Sequence, residues 1–293
     1  LKIILSIYPR AKNRARTAKE DDMKFSCEKA LLQSMITIAS RAVAPKSTIP
    51  ALEGVLLEAE QELNLTGYNL KTGIRGTISA DIAEPGSIVL SARLFGDIIR
   101  RLPDDMVTLS TDDLMVNITC GMSEFNILGM DPSQFPELPA VEYQNSMILP
   151  QRILHSMITE TIFAVSTNDS RPIHTGELFE RNGEGLLTVV AVDGYRLALR
   201  RETPQLNVSE TACQFVIPAP ALNEVSKICG DTDETVEIVQ GSRHIMFRLE
   251  SEKITLITRR LEGEFLNYNQ AIPSNNPIAV SVDRKKLISC IER

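Results

Sequence analysis

From Met23 onward two periods alternate along the chain. Leu31, Met35, Ile38, Ala39 and Ala42 recur at the spacing of one helical face, while Lys29, Gln33, Thr37 and Arg41 fall off that stripe. Pro45 and Pro50 bracket a loop that carries Lys46. Period-two alternation then predicts strands at Gly54–Glu58, Leu63–Thr66, Ile74–Ile82 and Ile88–Leu90. A second helix is predicted over Ala92–Leu102, burying Leu94, Phe95, Ile98, Ile99 and Leu102, with Arg93, Asp97, Arg100 and Arg101 on its other side. Pro103 ends it. Three further strands, Val107–Leu109, Met115–Thr119 and Phe125–Leu128, lead into a proline-rich exit, Phe135–Pro139.

The same order then returns. A helix over Gln151–Phe163, the loop Asn168–Pro172 and a strand Gly176–Glu180 precede a hairpin, Leu187–Leu199, turning at Asp193-Gly194. Strand Phe215–Ile217, helix Pro220–Ile228 and strands Val236–Val239, His244–Leu249 and Ile254–Thr258 follow, with an exit at Phe265–Pro273. Gly54–Glu58 matches Gly176–Glu180, and Glu28–Met35 matches Pro150–Met157 at the same offset. A third opening starts at Asp283. Repeats of this size are whole domains, since solenoid units run to only ~20–50 residues. We therefore expect an extension over 1–22, a first domain over 23–141, a second over 146–274, and the start of a third over 277–293. The segment 1–22, basic until Glu20-Asp21-Asp22, reads as a disordered upstream extension, and the chain as a fragment.

Composition narrows the function classes. A net charge of −7 argues against a protein that coats nucleic acid with its whole surface, while allowing a local basic face. No run approaches the ~18–20 apolar residues that span a bilayer. Five scattered cysteines without a CxxC pair predict reduced thiols, and three scattered histidines give no metal-ligand spacing. Ser166, Asp169, Ser170, His174 and Asp193 offer the raw groups of a nucleophilic triad, but no nucleophile elbow, phosphate loop or paired carboxylate accompanies them. No catalysis and no cofactor are expected.

Seven stretches carry a family resemblance: MKFSCEKALLQSM, IPALEGVLLEAE, LTGYNLKTGI, SARLFGDIIRRLP, SRPIHTGELFE, VAVDGYRLAL and RRLEGEFLNYNQAIP. Together they resemble the bacterial DNA polymerase III beta subunit, the sliding clamp, over Met23–Arg293. The resemblance implies an α+β fold of repeated clamp domains, each with two amphipathic helices lining a central pore and antiparallel sheets outside. It implies a non-catalytic processivity factor of the replicative polymerase, cytoplasmic and nucleoid-associated during replication. Such a factor is a head-to-tail homodimer that encircles duplex DNA without sequence preference, reading only phosphates and shape. The family's third domain would be largely missing, so this chain itself is expected to be a monomer.

By position, the resemblance places DNA contacts at Lys46 and Arg93 and brings the loop of Asn168 and Arg171 to the duplex. On the polar helix faces Arg93, Arg100 and Arg101 suit that role best, with Lys29, Arg41, Arg152, Lys227, Lys285 and Lys286 as helpers. It places a groove for linear peptides of the polymerase, the clamp loader and repair polymerases at His174, Val192, Gly194, Tyr195, Arg196, Leu197, Leu266, Gln270 and Ala271. Leu266 stands where Pro is frequent and Gln270 where Arg is frequent, which would alter peptide preference. A clamp-like adaptor that binds peptides without encircling DNA is the alternative reading.

Overall fold

The computed structural model describes residues 22–168, 170–203, 212–273 and 275–293. Most of the upstream extension and Asp169 lie outside the described residues. The first repeat runs β1 (Lys24–Glu28), α1 (Lys29–Ala39), β2 (Gly54–Ala59), β3 (Leu63–Tyr68), β4 (Thr72–Ile78), β5 (Asp81–Glu84), β6 (Gly86–Ser91), α2 (Ala92–Arg101), β7 (Met106–Asp112), β8 (Met115–Cys120) and β9 (Ser123–Leu128). The second runs β10 (Asn145–Pro150), α3 (Gln151–Thr159), β11 (Gly176–Arg181), β12 (Leu187–Val192), β13 (Leu197–Glu202), β14 (Cys213–Pro218), α4 (Ala219–Ile228), β15 (Thr235–Gln240), β16 (His244–Leu249) and β17 (Ile254–Arg259). A short helix α5 (Tyr268–Ala271) and an outlying helix α6 (Arg284–Ile291) follow.

Three antiparallel sheets result. One has the order β5-β1-β7-β8-β9, the second β10-β15-β16-β17-β4-β3-β2-β6, and the third β13-β12-β11-β14. The eight-stranded sheet belongs to both repeats, because β17 pairs with β4 from Ile254↔Gly76 to Thr258↔Thr72. Gly76 is needed there: a Cβ on it would lie 1.9 Å from Met35 Sδ on α1. Arg41, just past α1, also reaches Glu224 of α4 at 3.2 Å. The two repeats are therefore joined by a ladder of backbone bonds and by an ion pair between their helical layers.

The helices sit in phase with the core, but one residue away from the expected stripe in two places. α1 buries Leu32, Met35, Ile36 and Ala39, and Leu31 is 43% exposed. α2 buries Phe95, Ile98 and Ile99, and Leu94 is 47% exposed. Consecutive helical residues are ~100° apart, so a residue at the margin of the buried face turns to solvent, as Leu31 does beside Leu32 and Leu94 beside Phe95, while the central pairs Met35-Ile36 and Ile98-Ile99 are both buried. The Ser91 hydroxyl caps α2 by accepting from Leu94 N–H. α3 stops at Thr159, short of the expected Phe163. The buried Thr161 hydroxyl back-bonds to Met157 C=O at 2.7 Å and the chain tightens into a 3-10 turn over Ile162–Ala164.

Strand predictions fall on observed strands, with three differences. The alternation over Ile74–Ile82 is two strands in two sheets, β4 and β5. β10 was not anticipated; Met147 and Leu149 face inward, but Ser146 is buried too, which blurs the alternation. β12, whose Leu187, Val189 and Ala191 alternate in the manner of a half-buried strand, is buried at all six positions. It lies inside its sheet, with Leu187 and Val189 in the main core and Val190 and Val192 packed under the exit segment by Phe265 and Tyr268. Four of the five cysteines are buried and all are free; burial pushes the Cys27 and Cys229 thiols up to about 12, which makes them unreactive.

Of the six sheet-end strands, β5, β9, β10 and β13 carry no backbone bridge along their outer edge among the described residues. β6 and β14 are covered by the exit segments through the bridges Val89↔Met130 and Val216↔Leu261.

Candidate functional site

The turn between β12 and β13 organises one candidate surface. Gly194 has φ +94°, a conformation that L side chains rarely adopt, and so it allows the chain to reverse. Asp193 staples the turn: its carboxylate accepts from Tyr195 N–H at 3.0 Å, from Arg196 N–H at 3.1 Å and from Arg196 Nε at 2.7 Å. The Tyr195 amide bond, with the Arg196 contacts, holds the Asp193 carboxyl below the usual carboxylate range. The Arg196 guanidinium also stands 5.9 Å over the Phe163 ring. Arg196 is thereby held in place through Nε, and its terminal nitrogens have no acceptor among the described residues.

Around this turn the structure gathers some of the predicted groove and not the rest. Val192 and Leu197 pack with Phe265 and Tyr268 in one apolar cluster. His174 meets Phe265 edge-on, with ring centroids 5.3 Å apart, and burial followed by the neighbouring Arg171 charge holds its imidazole below the ordinary range. His174 at neutral pH is thus an uncharged, half-buried wall. Leu266, Gln270 and Ala271 lie exposed on and beside α5, and Tyr195 projects fully into solvent. Phe265, Phe163 and Asp193 hold the surface together and were not among the predicted residues. Phe265 directly precedes Leu266 in the exit motif, and Asp193 was visible as a turn residue; Phe163 was hidden by its assignment to the end of a helix.

The second candidate surface is helical. α1 and α2 are neighbours, and a groove of about 260 Å³ between them is lined by Gln33, Thr37, Arg93, Asp97 and Arg100. α3 and α4 form the matching pair in the second repeat. The cations here divide into two groups. Lys29 is tied to Asp104 at 2.8 Å, Lys227 to Glu224 at 2.7 Å, Arg41 to Glu224, Arg152 to Asp233 and Arg100 to Asp97. Lys46, Arg93, Arg101, Arg171, Lys285 and Lys286 are exposed and make no ion pair among the described residues. Lys227–Glu224 and Arg100–Asp97 are pairs at helical i,i+3 spacing, whereas Lys29, Arg41 and Arg152 reach carboxylates far along the chain that neighbour spacing does not reveal. The Asn168 side chain is engaged as well, accepting from Ser170 N–H at 2.9 Å.

Comparison with known proteins agrees over most of the chain. Residues 23–139 match the family described as DNA polymerase III beta subunit, N-terminal domain, and residues 148–267 match its central domain. Beta sliding clamps from Staphylococcus aureus and Halalkalibacterium halodurans are 35% and 33% identical, each match covering 92% of this chain and 73% of the relative. A putative DNA polymerase III beta subunit from Eubacterium rectale superposes with a TM-score of 0.87 at 35% identity, covering 92% of this chain and 73% of that one. A sliding clamp from Pseudomonas aeruginosa bound to griselimycin gives 0.86 at 29% identity, with the same coverage.

Proposed function

This chain belongs to the DNA polymerase III beta subunit family, and from that premise we propose that it works as a sliding clamp. It is a non-catalytic processivity factor: its work is topological tethering, which keeps a polymerase at a high effective concentration at the primer end. The observation that carries this reading is the pairing of β17 with β4 across the two repeats. β9 is the first-repeat counterpart of β17, and β13 is the second-repeat counterpart of β4. Each is open where its counterpart is joined. The same joint repeated at both ends adds clamp domains head to tail and bends the assembly into a ring, with β9 seated on a second copy. Met122, Phe125 and Leu128, exposed at the β8–β9 turn and on β9, supply the apolar surface for that contact.

The helical layer faces the duplex in this reading. Lys46, Arg93, Arg101 and Arg171, free of ion pairs among the described residues, touch phosphates; Arg100 joins them by exchanging Asp97, and Asn168 offers its side-chain amide. A handful of phosphate contacts on an acidic body binds loosely enough to slide. The peptide groove is His174, Val192, Gly194, Tyr195, Arg196, Leu197, Leu266, Gln270 and Ala271. Its apolar floor takes aliphatic anchors, and the pre-positioned Arg196 takes a carbonyl or carboxylate of the incoming segment. The partners are the replicative polymerase, the clamp loader and repair polymerases, in the bacterial cytoplasm and on the nucleoid during replication.

Loading onto nicked circular and linearised plasmid, with clamp loader and ATP, tests the ring. Retention on the circle at high salt with rapid loss from the linear form is expected. Loss from both at the same salt would mean ordinary electrostatic binding, and the adaptor reading would replace the ring.

A further inference from the structure

Three backbone segments meet where the two repeats join, and all of them carry cations. The β3–β4 turn holds Leu70 and Lys71, the β15–β16 turn holds Arg243, and β17 runs out through Arg259 and Arg260. Their proximity is fixed by the main chain. Arg259 N–H donates to Lys71 C=O at 3.2 Å, and Arg260 N–H donates to Arg243 C=O at 3.0 Å. His244 stands directly opposite Arg259 in the β16–β17 ladder. Burial, then the Arg259 and Arg243 charges, keep its imidazole below the ordinary range, an independent sign that these side chains crowd together.

Little on the protein neutralises this cluster. Arg259 has one carboxylate nearby, Glu262 at 4.0 Å, and both side chains are well exposed. Lys71, Arg243 and Arg260 make no ion pair among the described residues. On a chain of net charge −7, a patch of three exposed cations, Lys71, Arg243 and Arg259, with half-buried His244 is a local reversal of sign, while Arg260 has its Nε buried. An apolar group is set among the cations: Leu70 is 54% exposed, at φ +68°. A hollow of about 600 Å³ adjoins the patch through Arg260, lined by Leu261, Phe265, Glu180, Glu262 and Glu264 among others.

We propose that this patch is a docking surface for an acidic, extended peptide segment of a partner protein, its carboxylates on Lys71, Arg243 and Arg259 and an aliphatic side chain on Leu70. Guanidinium forks match carboxylates in pairs of hydrogen bonds. From the β15–β16 turn to the β3–β4 turn the patch crosses the adjacent strands β16, β17, β4 and β3, roughly 14 Å at sheet spacing, or about four to five extended residues. The hollow selects peptide over nucleic acid. Its three carboxylates repel a continuous phosphate backbone, whereas a peptide changes from acidic to neutral side chains within one residue. Lys71, Arg243 and Arg259 lie outside the groove around Arg196, with which the hollow shares Phe265 and Tyr268, and ring closure plays no part in the proposal.

The test is fluorescence anisotropy of a fluorescein-labelled peptide, Glu-Asp-Leu-Glu-Glu-Leu, with the full chain at low ionic strength. Arg243→Glu combined with Arg259→Glu is expected to weaken binding about tenfold or more, Lys71→Glu to weaken it several-fold, and high salt to abolish it. Loss of binding in Arg196→Ala, with binding retained in the Arg243 and Arg259 double variant, would place the peptide in the groove and overturn the proposal. The same peptide with Gln for Glu and Asn for Asp does not bind. Circular dichroism and melting check that each variant folds, and the single Arg243→Ala variant serves if the double variant does not. Binding that survives charge reversal overturns the proposal. So does a single-stranded oligonucleotide that binds more tightly than the peptide and loses its binding in the same variants.

Discussion

Glu177, the second residue of β11, has no exposed surface, and its carboxyl is pushed up to about 8 by burial. Thr161 Oγ1 donates to its Oε1 at 2.7 Å, while Oε2 is buried without a partner. The raised value means that the folded state holds a proton that the unfolded chain releases near the ordinary glutamate range. Stability from this group is therefore complete below that range and falls as pH rises towards about 8, then levels off. Glu177→Gln keeps an acceptor for Thr161 and removes the titration. Melting at pH 5.5 and pH 9 is expected to show the variant gaining on the order of 1–2 kcal/mol over the parent at the higher pH only. An equal shift at both pH values would mean that the carboxyl does not titrate in this window. Residue-level features of this kind were the least legible in the sequence. Asp193-Gly194 announced a turn by its chemistry, but nothing in the string GELFE marks its first Glu as buried, because burial there comes from elements far along the chain. Likewise no local pattern shows that Lys29, Arg41 and Arg152 are tied to distant carboxylates while Arg93 and Arg101 make no ion pair among the described residues.

At the scale of elements, β9 is an exposed strand edge that ends in an apolar residue, with Leu128 70% exposed. Such edges pair with other chains unless they are covered or charged. Phe125→Glu with Leu128→Lys is expected to leave folding intact, since both side chains already face solvent, and to abolish any concentration-dependent assembly in light scattering. Assembly that persists in the variant would place the contact elsewhere. Strands such as β7, β8 and β16 were readable because they alternate over six or seven residues between buried and more exposed positions. The exceptions have physical causes. β12 is covered on both faces, so alternation carries no information there, and β10 mixes Ser with Met and Leu on buried positions. Helix phase was misjudged at Leu31 and Leu94 because both sit at the margin of the buried face, where packing rather than apolar spacing decides which residue is covered.

At the scale of the whole molecule, the repeat was legible as matched motifs, but the way its copies join was not. A backbone ladder between two repeats leaves no side-chain signature. Its mark is a glycine, Gly76, where Met35 of α1 presses against the strand that carries the joint. Gly76→Ala is expected to cost about 1–3 kcal/mol through that overlap. Because the eight-stranded sheet is common property, calorimetry should show both repeats melting in one transition, displaced downward by a few °C. Separate transitions for the two repeats, with only one displaced, would show that the ladder does not couple them.

The shared sheet also sets an order on the birth of the protein. Thr72 and Thr258 face each other across the joint although 186 residues separate them. A ribosome adds ~5–20 residues per second, so β4 emerges roughly 10–40 s before β17 exists to meet it. Throughout that interval the nascent chain displays an open β4 edge, the kind of surface that templates aggregation. Synthesis speed and chaperone occupancy, rather than final stability, then govern how much of the newly made chain survives to assemble.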